Sequence, residues 1–213
     1  MRLTLVNIVF SRYYLPMNTE TLYHLLDRIG NLLRNEVRAA LVLHGLQPIH
    51  FEALYYLSIC NRFSDTPKAV TEYLGLTKGT VSQSLKVLET KGFLTKKPDI
   101  EDKRMTHLVV SSQGRKLITE IFPPPLLQHA VASNKLTDNG LDARALQDQL
   151  QSLLRSIQTE NKRHTFGVCA TCEHNQSLTG GRYLCGLTNV VLSPDETTLI
   201  CIEHTERKAP SST

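Results

Sequence analysis

Four of the five cysteines in this 213-residue chain lie within its last 45 residues, as Cys169-Ala-Thr-Cys172, Cys185-Gly186 and Cys201-Ile-Glu-His204. A Cys-x-x-Cys pair places two thiolates on one tight turn, and two later cysteines can complete a shell of four sulfurs. Thiolate sulfur is a soft ligand that suits zinc or iron–sulfur clusters. The full spacing is Cys-x2-Cys-x12-Cys-x15-Cys-x2-His. Two knuckles, Cys169/Cys172 and Cys201/His204, would make a zinc site that leaves Cys185 spare. Cys169, Cys172, Cys185 and Cys201 instead supply the four thiolates of a 2Fe–2S or 4Fe–4S cluster with none left over. The count leans to the cluster, with zinc as the alternative. On the cluster reading His174 and His204 are surface or outlying groups rather than ligands. Cys60, near Leu57 and Ile59, reads as a small core residue.

The elements that must position these groups are mostly helical. Leu22, Leu25, Leu26, Ile29, Leu32, Leu33, Val37, Ala40 and Leu41 recur at helical spacing, which predicts a helix from Thr19 to Leu43. Asn18 or Thr19 can cap it, and Gly45 follows its end. This stripe is long for a small domain, so it covers the core or meets a partner subunit. Pro48 suits the first turn of a second helix that carries Phe51, Leu54, Tyr55, Leu57 and Ile59.

Thr66-Pro67 then starts a short helix through Val70, Tyr73 and Leu74 that ends at Gly75. Thr77 caps another with Val81, Leu85 and Leu88 inside, and Gly92 stops it. Two short helices around a glycine turn make a helix-turn-helix. The second presents Lys78, Thr80, Ser82, Gln83, Ser84 and Lys86 without an acid before Glu89. Thr80, Ser82 and Gln83 suit base edges, and Lys78 and Lys86 suit phosphates. Alternating segments Phe93–Lys97 and Thr106–Val110 flank the charged loop Asp99–Arg104, as in a hairpin wing. Arg104, with Lys103 beside it, is placed for a narrow minor groove. Asp102 would hold Arg104, while Asp99 and Glu101 read as solvated loop charges. Ser111 caps a further helix through Ile121. Pro123-Pro124-Pro125 must break it, and an amphipathic helix resumes around Leu141–Ile157.

Charge agrees with this placement. Residues 67–116 hold ten Lys/Arg and five Asp/Glu, a net +5, whereas the rest of the chain carries 14 against 15. A basic block confined to the helix-turn-helix and wing is a surface for phosphates. The 41% apolar content supports a real core, and no apolar run nears the ~20 residues of a membrane span. Nucleophile-elbow, Walker and dinucleotide motifs are missing, which argues against an enzyme.

The run Leu74–Leu117 resembles the MarR family of bacterial regulators. The resemblance rests on Leu74-Gly75-Leu76-Thr77, Val81-Ser82, Leu88-Glu89, Lys91-Gly92-Phe93-Leu94, Asp99-x-x-Asp102-Lys103-Arg104 and Val110-Ser111-Ser112-Gln113-Gly114. It extends less specifically from about Thr19 to Ile157. It implies an obligate homodimer, built from the first and last helices, on pseudo-palindromic double-stranded DNA.

The expected architecture is mainly α, a winged helix-turn-helix with a small β wing, a helical dimerisation region and a small cysteine-rich C-terminal module. Residues 18–160 form the regulator body, with the winged helix over about 48–122, and residues 161–213 form the module. Residues 1–17 read as an arm or as sequence upstream of a start at Met17. The expected protein is a cytoplasmic regulator whose cysteine centre senses iron or redox state. The alternative is a structural zinc site with a small-molecule effector as the signal.

Overall fold

A computed structural model describes residues 18–100, 102–132, 142–161 and 163–207. The arm expected over residues 1–17, and Glu101 of the wing, lie outside the described residues. Helix α1 (Thr19–Leu41) starts where the Asn18 side chain accepts the Thr21 amide at 2.7 Å. A short 3-10 turn, Val42–His44, then closes on Gly45. Helix α2 (Pro48–Ile59) opens on a proline, whose missing N–H costs nothing in a first turn. It is apolar on nearly every side, which suits a helix at the centre of the fold.

Helices α3 (Pro67–Leu74) and α4 (Lys78–Thr90) are capped by the hydroxyls of Thr66 and Thr77. Between them Gly75 takes a φ of +64°, a left-handed conformation that strains any residue with a Cβ. Strands β1 (Leu94–Pro98) and β2 (Thr106–Val110) pair antiparallel, with Leu94 opposite Val110 and Pro98 opposite Thr106. Helix α5 (Ser112–Ile121) follows the Ser111 cap. The three prolines break the chain as their chemistry demands, and it restarts as α6 (Pro125–Ala132) and then α7 (Ala143–Glu160).

The C-terminal segment forms a small antiparallel sheet in the order β3 (Asn175–Ser177), β4 (Tyr183–Cys185), β5 (Val190–Leu192), flanked by 3-10 turns. Its packing is continuous with that of the winged helix. Phe166 and Ile202 are buried in the same core as Leu54, Tyr56, Val70, Leu85 and Leu108. Phe166 stands edge-on to Tyr56 (5.9 Å between centroids) and Tyr73 (5.2 Å). The backbones join as well: the Ile200 amide donates to Ile59, and the Asn61 amide donates to Ile200. A change of sequence texture at residue 161 therefore marks no boundary between cores.

Candidate nucleic-acid interface and cysteine centre

Helix α4 is amphipathic, with Val81, Leu85 and Leu88 inward and Lys78, Thr80, Ser82, Gln83 and Lys86 exposed. Thr77 is exposed too, but its Oγ1 is engaged by the Thr80 amide (3.2 Å) and hydroxyl (2.9 Å). Ser84 does not belong on this face. It is buried, and its hydroxyl donates to the Thr80 carbonyl at 3.0 Å. One turn of a helix carries residue 84 beside Val81 and Leu88, where only a small side chain fits. Nearby, Lys96 on β1 is already paired with Glu89 at 2.6 Å.

In the wing, Lys103 and Arg104 are exposed. Arg104 donates to both Asp102 oxygens, from Nε at 3.0 Å and from Nη2 at 3.1 Å. This fork keeps the guanidinium extended and outward while holding the Asp102 carboxyl below the usual carboxylate range. Asp99 is not the solvated loop charge its sequence context indicates. Its Oδ1 accepts the Asp102 amide at 2.7 Å, and its Oδ2 lies 2.9 Å from His107 Nε2. The other ring nitrogen of His107 meets Asp65 Oδ1 at 2.6 Å. Hydrogen bonds donated to Asp65, then to Asp99, raise the His107 pKa above its ordinary value, against a smaller desolvation effect. Asp65 is itself raised by burial, with His107 pulling back.

The four C-terminal cysteines come from three separate turns and line one cavity of about 30 Å3. Cys169 and Cys172 close a 3-10 turn in which the Cys172 amide donates to the Cys169 carbonyl. Cys185 ends β4, and Cys201 follows Ile200. Asn61 and Phe63, from the loop after α2, line the same cavity. Asn175, itself buried, donates to the Cys169 carbonyl at 3.0 Å and reaches its sulfur at 3.6 Å. Arg207 secures the turn by donating to the carbonyls of Cys172 and Asn175. Burial pushes the Cys169 thiol up; the Asn175 N–H opposes this, and Cys172, Cys201 and Cys185 add to it. A dication among these sulfurs would reverse that balance.

All five cysteines are free thiols. Among the described residues, no group of three or more His, Cys, Asp or Glu side chains is placed so that it could hold a metal ion. The four thiols share a cavity without converging to bonding geometry. Their donor type and number are those of a soft centre, but their geometry is not. His204 is placed elsewhere. Its two ring nitrogens each lie 3.0 Å from a hydroxyl, those of Thr165 and Thr171, and the ring packs where a Cβ on Gly167 would sit. The Cys201/His204 knuckle is therefore not the arrangement found, since Cys185 and not His204 joins the other three. Cys60 is buried, and desolvation pushes its thiol up to about 12, so it stays protonated as an inert core group.

Sequence reading missed Asp65, His107, Asn61, Ser64 and Asn175. None belongs to a motif, and His107 lies 42 residues from Asp65. Only folding brings them together.

A basic helix-turn-helix with a charged wing defines a DNA-binding transcriptional regulator. Comparison with known proteins identifies the family. Residues 44–105 match the MarR family model. The chain is 30% identical over 123 residues to the uncharacterised HTH-type transcriptional regulator YkoM of Bacillus subtilis (strain 168), spanning 58% of this chain and 75% of that protein. It is 28% identical over 102 residues to YwaE of the same organism, over 48% of this chain and 57% of the relative. A MarR transcriptional regulator of Methanosarcina mazei Go1 has a similar fold, at a TM-score of 0.50 and 17% identity over 67% of this chain and 98% of that one. The chain belongs to the MarR family. It is a transcriptional regulator and not an enzyme, and no helix among its described residues is long and apolar enough to cross a membrane.

Proposed function

We propose that this regulator binds pseudo-palindromic DNA as a homodimer and that Cys169, Cys172, Cys185 and Cys201 hold one zinc ion that ties the C-terminal module to the winged helix. The observation that carries this reading is the meeting of four thiols from three turns on one cavity. The cavity is small, about 30 Å3, and the thiols reach it from different turns. Four thiolates around one small cavity suit a single tetrahedral ion, with an iron–sulfur cluster as the alternative. Zinc bound there would supply cross-linking of the turns and a fixed positive charge, with no redox chemistry of its own. Asn175 and Arg207 would hold the turn that presents Cys169 and Cys172.

The dimer reading rests on apolar side chains left open on two helices. Leu25, Ile29 and Leu32 of α1, and Leu146, Leu150, Leu154 and Ile157 of α7, are all exposed in the single chain. Burying such stripes against a second copy is the ordinary way to remove them from water. On DNA, α4 enters the major groove with Gln83 and Ser82 toward bases, and the wing brings Lys103 and Arg104 to the flanking minor groove.

An effector reading has an observation of its own. A cavity of about 460 Å3 opens between α3 and the end of α7, lined by Tyr73, Leu154, Ile157, Gln158, Arg163 and Phe166. The buried Gln158 Oε1 has no hydrogen-bond partner among the described residues, so it is ready to accept one from a small molecule.

Purification without oxygen, followed by absorbance and metal analysis, tests the centre. Colourless protein with one zinc per chain is the expected result. Brown protein means an iron–sulfur cluster, and stoichiometric absence of metal removes the centre altogether.

A further inference from the structure

The loop between α2 and α3 touches both the cysteine module and the wing. On one side Asn61 and Phe63 line the thiol cavity, and the Ser64 hydroxyl accepts the Ile202 amide at 2.9 Å. Inside the loop, Asn61 Oδ1 accepts from the Ser64 hydroxyl at 2.8 Å and from the Phe63 amide at 3.1 Å. The Ser64 carbonyl accepts the Tyr56 hydroxyl at 2.8 Å. On the other side the Asp65 carbonyl accepts the Leu108 amide at 2.7 Å, and the Asp65 carboxylate holds His107. His107 in turn holds Asp99, which anchors the Asp102 amide at the root of the Arg104 fork.

We propose that the Asn61–Asp65 loop carries the state of the cysteine module to the wing, with His107 as the positioning residue that completes the link. The proposal rests on the metal reading only for what changes the module's state. The loop is short, its Asn61 and Ser64 are buried and paired, and Arg62 is held by Glu196 of the module at 2.6 Å. It therefore cannot shift on the module side without shifting on the wing side.

His107 gives the link two discrete states. The charged ring has two N–H groups and donates to both Asp65 and Asp99. The neutral ring has one N–H, so one carboxylate must lose its donor. Because the folded pKa is raised, the clamp is whole below the ordinary imidazole range and opens as pH rises through the raised value. The other charges around it are accounted for. Lys97 is its cross-strand partner on β1, Lys68 of α3 lies 3.9 Å from Glu72, and Asp102 is held by Arg104. On the α2 side the buried Tyr56 and Cys60, both kept protonated, lie near Asp65.

Amide hydrogen exchange on the full-length protein tests this, read over residues 104–110 and corrected for intrinsic pH dependence. In the zinc-loaded wild type, raising the pH through the His107 titration should lower wing protection about tenfold, as expected for a clamp that loses one charged hydrogen bond. Chelating the zinc should lower it comparably. His107→Gln should start at the lower level and respond to neither treatment. Asp99→Asn should behave alike if His107→Gln does not fold. Ser64→Ala, which touches no cysteine, should loosen the wing with zinc still bound. The proposal is overturned if chelation opens residues 167–204 while the wing stays protected, or if His107→Gln responds to chelation as the wild type does. Wild type that binds no zinc would sink the metal reading alone. Ser64→Ala then decides the link, which fails if the wing keeps its full protection.

Discussion

The amide of Ile202 and the hydroxyl of Ser64 meet at 2.9 Å, 138 residues apart in the chain. Around that bond Ile202 and Phe166 complete the winged-helix core. Truncation after Glu160 should therefore destabilise residues 18–160, and Phe166→Ala should cost about 3–5 kcal/mol. Urea unfolding at a fixed salt measures both. An unchanged midpoint for the truncated chain would show that the module merely rests on the surface.

The α4 face separates into groups with different effects on DNA. Against a duplex selected by the wild type from a random pool, Lys78→Ala should weaken binding to all sequences and shallow the salt dependence. Gln83→Ala should in addition relax base preference at one position per half-site by about 1–3 kcal/mol. Ser84→Ala should leave affinity unchanged, because its hydroxyl is turned to the Thr80 carbonyl. Loss of affinity with Ser84→Ala at wild-type stability would contradict that placement.

Arg104→Ala should lose most affinity on duplexes with A·T-rich flanks, where the narrow minor groove favours a guanidinium. Asp102→Asn should produce a milder form of the same defect by freeing the fork. Equal losses at every flank, measured by competition, would take the wing out of sequence discrimination.

Metal content should respond to four side chains and not to a fifth. Single Ser substitutions at Cys169, Cys172, Cys185 or Cys201 should each release zinc, since opening a closed four-sulfur shell sharply lowers affinity. His204→Ala should keep it, because both ring nitrogens face threonine hydroxyls. Retention by Cys185→Ser with loss by His204→Ala would restore the knuckle arrangement.

Glu at Leu26 on α1 or at Leu154 on α7 should shift the protein toward monomer in sedimentation and weaken DNA binding together. Both positions are exposed in the single chain, so folding itself should be spared. A wild type that is monomeric at micromolar concentration and still selects one duplex would end the dimer reading.

Much of this was legible in the residues. Pro67, Gly75 and Thr77 each impose a local conformation, so the helix-turn-helix follows from single side chains. The proline run broke its helix for the same local reason. Ser84 went wrong because a polar side chain on a basic helix looks exposed, yet helical geometry turns that position inward. The Asp65–His107–Asp99 clamp was invisible because no periodicity or spacing connects a loop, a strand and a wing. The docking of the module was hidden likewise: Phe166 and Ile202 are lone apolar residues in a segment without a helical stripe. The cysteine spacing left two sets of four open, and the shared cavity, with His204 outside it, groups Cys169, Cys172, Cys185 and Cys201.

The long reach of the Ser64–Ile202 contact also bears on how the chain is made. Local elements such as α3, α4 and the β1–β2 hairpin can form as soon as they leave the ribosome, because their contacts are near in sequence. The face of α2 that Phe166 and Ile202 cover must wait until the chain has been made through residue 202. Before that, Tyr56 and Tyr73 have each other but not the edge of Phe166. A growing chain would thus hold an incomplete core, and rigidity of the wing would be coupled to synthesis of the cysteine-rich module.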